Sequence, residues 1–249
     1  MFDSSTIAVV IGTFFLAGTV KGTIGLGLPS VTMAVLTLII DIPTAMAFLL
    51  VPSFATNLWQ ATVGGHGRAI VRRIWPFLFM ATLTVWLGAQ ALTRINLSYL
   101  SVLLGLLLIV YGTVSLAGPR LTLSRRREIW AGPIAGMFNG LLAGMTGSFA
   151  VPGVMFFQAI GLPRDKMVQA MGILFTASTL ALAIALRDSG LLSLAQGQMS
   201  AVALLPALLG MALGQRIRRR LSEQLFRRIF FAALPLMGLF IIIKAVAGL

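Results

Sequence analysis

Lys21 stands in the run Gly18-Thr19-Val20-Lys21-Gly22-Thr23-Ile24-Gly25-Leu26-Gly27, with Pro29 two residues on. A second run, Asn139-Gly140-Leu141-Leu142-Ala143-Gly144-Met145-Thr146-Gly147-Ser148, leads to Pro152 and Gly153. An ammonium, hydroxyls, a carboxamide and the bare backbone N–H groups near glycine are all hydrogen-bond donors. Donors gathered where a helix is broken, at the positive end of its dipole, suit an anion. The candidate anion-binding residues are therefore Lys21, Gly22, Thr23, Gly25 and Gly27, with Asn139, Gly144, Thr146, Gly147 and Ser148.

Each candidate also has a structural reading. Lys21 either offers its charge to an anion or extends to lipid headgroups. Gly18/Gly22 and Gly140/Gly144 are GxxxG pairs, which let helices pack closely. At Gly25, Gly27 and Gly147, where the breaks fall, backbone anion binding is favoured. Thr23, Asn139, Thr146 and Ser148 can donate to an anion or satisfy a carbonyl freed by the break. Asn57, Gln158, Gln169 and Thr176 lie in apolar surroundings and are expected to bond between helices. Trp59, Trp75 and Trp130 fall near span ends, as interfacial anchors do.

The elements that hold these residues must be membrane helices. Of 249 residues, 58% are hydrophobic and 10% charged, against about 25% charged in soluble domains. The mean hydropathy is +0.99. Apolar stretches of about 17–22 residues without period-2 alternation are helices rather than barrel strands. The chain has no cysteine and one histidine, His66, so disulfides, thiolate chemistry and a His-rich metal site are excluded, and neither metal nor cofactor is expected. Met1 to Ser5 lack a basic stretch ahead of the first apolar segment, which is therefore read as structure rather than a signal peptide.

A first interrupted region covers about 6–40, followed by spans at about 43–63, 73–92 and 97–117. A connector at 118–127 precedes a second interrupted region at about 129–160 and spans at about 164–186, 194–214 and 229–247. Gly18, Gly22 and Gly25 match Gly140, Gly144 and Gly147 at constant offset. With small gaps, Pro29 matches Pro152, and Asp41-Ile42-Pro43 matches Gly161-Leu162-Pro163. This predicts an all-α polytopic membrane protein of two inverted-topology repeats, 1–117 and 128–249. Each repeat is a Gly/Pro-broken helical hairpin plus three transmembrane helices.

The net charge of +13 does not mark a nucleic-acid binder, because the basic residues sit in short connectors. Arg68, Arg72 and Arg73 form one group; Arg120 and Arg125 to Arg127 form another; Arg164 with Lys166, and the arginines between 215 and 228, complete the set. Placing all four connectors in the cytoplasm leaves only Arg94 and Arg187 in the opposite loops. The halves are then oppositely oriented, and both termini are extracytoplasmic. Each interrupted region begins and ends on one side, as a re-entrant hairpin or as two short spans. Its arms, about 7–21 and 29–40 in the first half, are short for full spans.

The two glycine runs, with Pro29 and Asp41-Ile42-Pro43 in one half and Val151-Pro152 and Gly161-Leu162-Pro163 in the other, resemble the sulfite exporter TauE/SafE family over nearly the whole chain. The resemblance implies an inner-membrane permease for sulfite, small organosulfonates or small carboxylates. Leu28 after Gly27, and Ser148-Phe149 after Gly147, depart from the family's glycine-rich pattern.

Inverted repeats with broken segments in matching positions also point to a secondary transporter with its site near the membrane middle. The six acidic residues (Asp3, Asp41, Glu128, Asp165, Asp188 and Glu223) all lie at termini, loops or span ends. No mid-span carboxylate is present for proton coupling, which favours export of a small anionic substrate driven by the membrane potential. Ion-coupled import and an anion channel stay open, as does a homo-oligomer; a partner-dependent permease half is weighed against by the absence of a long soluble loop. A hydrolase built on Ser148 is disfavoured, since no base accompanies that serine.

Overall fold

The computed structural model describes residues 3–118, 122–218 and 223–247. Arg120, Arg219 and Arg220 of the basic connectors lie outside the described residues. The helices are α1 (Ser4–Ile24), α2 (Leu28–Leu36), α3 (Ile42–Thr62), α4 (Gly67–Ala89), α5 (Ala91–Arg94), α6 (Leu97–Ala117), α7 (Arg125–Thr146), α8 (Gly153–Ala159), α9 (Arg164–Asp188), α10 (Leu194–Arg218) and α11 (Glu223–Ala247). No strand occurs among the described residues. Seven stretches there are long and apolar enough to span a membrane: α1, α3, α4 with α5, α6, α9, α10 and Gln224–Ala247. The glycine-rich α7 is not one of them, although its 22 residues extend about 33 Å.

The breaks fall at the foreseen glycines, but their arms are unequal. α1 has 21 residues, about 31 Å, and is a full-length helix rather than the short arm expected. It ends at Gly25, whose φ of 80° is a left-handed cap, and whose N–H donates to the Lys21 carbonyl at 2.8 Å. A residue with a Cβ would be strained at that angle. The returning arm, α2, has 9 residues, about 13 Å and too short to span alone. In the second half α7 ends at Gly147 and the short α8 follows a cis Val151–Pro152 peptide. Two connectors are shorter than read: Arg68, Arg72 and Arg73 belong to α4, and Arg125 to Arg127 begin α7. Asp41 caps α3, accepting from the Thr44 N–H at 2.9 Å, with Pro43 in the first turn, where no intrahelical N–H is needed.

Packing joins the two halves reciprocally. α1 lies along α10 and α7 along α4; α3 lies on α9 and α6 on α11; α3 also meets α10, and α9 meets α4. Glycines make these approaches close. A Cβ at Gly18 or Gly22 would run into the carbonyl of Ala207 or Met211 on α10. Gly210 and Gly214 stand in the same relation to Phe15 and Thr19. Gly136, Gly140 and Gly144 press on Phe77, Ala81 and Val85 of α4. In a bilayer, where lipid tails are as apolar as the helix surface, such close van der Waals contact is a main source of association.

Polar groups finish the core. Pro52 lies inside α3 and has no N–H for the Phe48 carbonyl one turn back. Ser200 of α10 donates to that carbonyl at 2.8 Å and accepts from the Val51 N–H at 2.9 Å. Ser200→Ala should lower stability by about 1 kcal/mol, read as a lower midpoint of thermal unfolding in detergent. Where α4 and α7 begin, Arg73 grips Glu128 through two hydrogen bonds of 2.8 and 3.0 Å and donates to the Ile160 carbonyl at 2.8 Å. That pair ties α4, α7 and the end of α8 together. Trp59, Trp75 and Trp130 are exposed, at 63%, 60% and 59%, as interfacial anchors are.

Candidate functional site

Lys21 is 4% exposed. It donates to the Asn57 Oδ1 of α3 and forms no ion pair among the described residues. Asn57 lies five residues before the end of α3 at Thr62, about 8 Å along the helix axis. Lys21 therefore sits well inside the bundle, with a neutral partner.

A cavity of about 680 Å³ reaches Lys21, Gly22 and Gly25. The end of α3 contributes Thr56, Trp59 and Gln60, the start of α9 contributes Arg164, Asp165 and Gln169, and the end of α10 contributes Gln215 and Arg218. Its rim thus gathers the ends of three long helices. Arg164, Asp165 and Arg218 are exposed there, whereas Lys21 and Thr56 are buried. Among the described residues the cavity carries three cations against one carboxylate. The α9 N-terminus has no side-chain cap and adds the positive end of its dipole. A second cavity of about 570 Å³ shares Arg164 and Val168 with the first.

The walls are held by glutamines. Gln60 donates to the Gly25 carbonyl at 3.0 Å and the Val168 carbonyl at 2.7 Å, tying the α1 break to α9. Gln169 donates to the Ala61 carbonyl at 2.9 Å and accepts from the His66 N–H at 3.1 Å. Behind Lys21 the polar contacts continue: Asn57 Nδ2 donates to Ser53 Oγ at 2.9 Å, and Ser53 Oγ lies 3.2 Å from Thr179 Oγ1 of α9.

Of the ten residues singled out in the sequence, Lys21, Gly22 and Gly25 line this cavity together, and the other seven do not. Thr23 Oγ1 donates to the Thr19 carbonyl at 2.8 Å and the Gly214 carbonyl at 3.3 Å. Gly27 is closed over, since a Cβ there would lie 2.9 Å from Phe230 and Val20. Asn139 accepts from the Gly153 N–H at 2.8 Å, and its Nδ2 is buried with no partner among the described residues. Gly144 packs on α4. Thr146 donates to the Leu142 carbonyl at 2.7 Å and accepts from the Ser148 N–H at 3.3 Å. A Cβ at Gly147 would lie 2.9 Å from Met33 and Met46, so α2 and α3 close over the second break. Ser148 is buried.

Asn57 and Gln169 bond between helices, as expected. Thr176 instead bonds to Gly172 of its own helix at 2.7 Å, and Gln158 is exposed and lines the second cavity. Gln60 went unremarked in the sequence. With Ser53, Thr56 and Asn57 it forms a polar stripe at i, i+3, i+4 and i+7 on α3, a spacing that puts all four on one face.

The sulfite exporter TauE/SafE family model matches residues 10–241. The chain belongs to that family. TauE/SafE proteins are membrane transporters, not enzymes. Neither the curated proteins nor the solved structures contain a match to this TauE/SafE chain.

Proposed function

We propose that the protein is a secondary carrier that exports small oxyanions, with sulfite, small organosulfonates and small carboxylates as the substrate class. The observation that carries this reading is the buried Lys21 ammonium at the inner end of a cation-rich cavity, with a carboxamide and no carboxylate as its partner. A cation taken out of water is costly unless an opposite charge compensates it. A transported anion would supply that charge during the loaded part of the cycle.

The reading includes orientation. With the two repeats joined on the cytoplasmic side, ahead of α7, both termini are extracytoplasmic, and the ends of α3 and α10 and the start of α9 face the cytoplasm. The cavity is then the inward-open vestibule of an alternating-access cycle. The reciprocal packing of α1 on α10 and α7 on α4 supports two inverted units that rock against each other. An inside-negative potential drives each negative charge outward by about 2.3 kcal/mol per 100 mV, enough to power export without a coupled ion.

The test is flux of sulfite, methanesulfonate and acetate in proteoliposomes under an imposed potassium-diffusion potential. Saturable flux toward the positive side, accelerated by unlabelled anion on the far side, is expected. Flux that does not saturate or show such exchange would make the protein a channel. Uptake that needs an imposed sodium or proton gradient would make it an ion-coupled importer.

A further inference from the structure

The partner of Lys21 is chemically specific. Asn57 is fully buried and engages both ends of its carboxamide, Oδ1 accepting from Lys21 and Nδ2 donating to Ser53 Oγ at 2.9 Å. Donation by Nδ2 makes Ser53 an acceptor there, and Ser53 Oγ also lies 3.2 Å from Thr179 Oγ1, a contact in which either hydroxyl can donate. The carboxamide is thus locked with its oxygen toward the ammonium. Aspartate has nearly the same shape and would place a full negative charge where Asn57 places the negative end of a dipole. A buried lysine is ordinarily held by such a carboxylate.

The surroundings do not make up the difference. Lys21 itself belongs to neither Arg73–Glu128 nor Arg125–Glu128 and forms no ion pair among the described residues. Among the described residues, the one carboxylate lining the cavity belongs to Asp165, which is exposed at the start of α9, next to Arg164. Among the described residues, no carboxylate in the inner part of the cavity pairs with Lys21.

Resting on the anion-carrier reading above, we infer that Asn57 is the residue that makes the site selective for anions. It holds Lys21 in place with a neutral acceptor, so that the charge of the ammonium is satisfied by the cargo and not by the protein. A carboxylate at position 57 would form a permanent internal ion pair, and an arriving anion would have to break that pair or bind beside a negative charge.

Asn57→Asp and Asn57→Ala, each reconstituted beside the wild type, decide this with sulfite as the probe. Asn57→Asp should raise KM at least about tenfold, since like charge beside the bound anion weakens its binding directly. Its maximal rate should fall less than its affinity, and its thermal midpoint in detergent should not drop. Asn57→Ala removes the tether but adds no charge, and should raise KM by a smaller factor, about threefold. A merely structural Asn57 predicts the opposite order, because Asp keeps the shape and the acceptor that Ala loses. An Asp variant with wild-type KM, or an Ala variant with a KM raised tenfold or more, would overturn the inference. The Ala arm decides alone should the Asp variant not yield folded protein. Absence of sulfite flux in the wild type would instead bring down the carrier reading itself, and this inference with it.

Discussion

Lys21→Ala should reduce the affinity for a transported anion by at least about thirtyfold, because truncating one member of a buried charge pair typically costs about 2–5 kcal/mol. The expectation follows from placement. Lys21 is 4% exposed, lines the 680 Å³ cavity and has Asn57 as its partner. Equilibrium binding of radiolabelled sulfite to detergent-purified protein would measure it without the complications of flux. Lys21→Arg, which keeps the charge but changes its shape and reach, should retain part of the affinity. Unaltered binding in Lys21→Ala would return this lysine to a purely structural role, and the site would have to be sought at Arg164 and Arg218. The alanine variant should also fold at least as well as the wild type, since the empty protein no longer buries an uncompensated cation.

Gly144→Leu should give the largest loss of folded protein, and Gly22→Leu should nearly match it. A Cβ at Gly144 would collide with the Val85 carbonyl, and one at Gly22 with the Met211 carbonyl. Backbone cannot rotate away as a side chain can, so the α7–α4 and α1–α10 pairs would have to separate. Overpacking typically costs about 1–3 kcal/mol and more where nothing can yield. Each variant should show a markedly lower thermal midpoint in detergent and a poorer monodisperse fraction on size exclusion. Gly12→Leu and Gly197→Leu provide the contrast, because a Cβ at either position meets nothing within 4 Å. Equal behaviour of all four variants would remove glycine-mediated packing as the basis of the fold.

Much of the architecture was legible in the chain itself. Spans read at about 43–63, 97–117 and 164–186 became Ile42–Thr62, Leu97–Ala117 and Arg164–Asp188. Apolar length is a local property, and lipid offers the backbone no alternative to helix. The breaks were legible for the same reason, since a left-handed cap calls for glycine at Gly25 and Gly147 whatever the neighbours are. The length of α1 was not, because its arm reads in the sequence as ending at about residue 21, whereas Gly22 packs against α10 and the helix continues to Ile24.

What the sequence determined by itself is the solvent, the helical class, the order of spans and breaks, and the TauE/SafE membership that this order carries. Tertiary structure alone decided which donors share a cavity. Ten candidates were spread over two motifs, and three of them, Lys21, Gly22 and Gly25, came to line one space with Gln60, Arg164 and Arg218. Those added residues sit on α3, α9 and α10, far apart in sequence. Their convergence depends on helix crossings set by glycine contacts between the halves, and a pairing between distant faces leaves no periodicity in either segment. The same holds for Asn57. Its polarity is visible in the sequence, but that its oxygen faces Lys21 while its nitrogen faces Ser53 follows only once α1, α3 and α9 are packed.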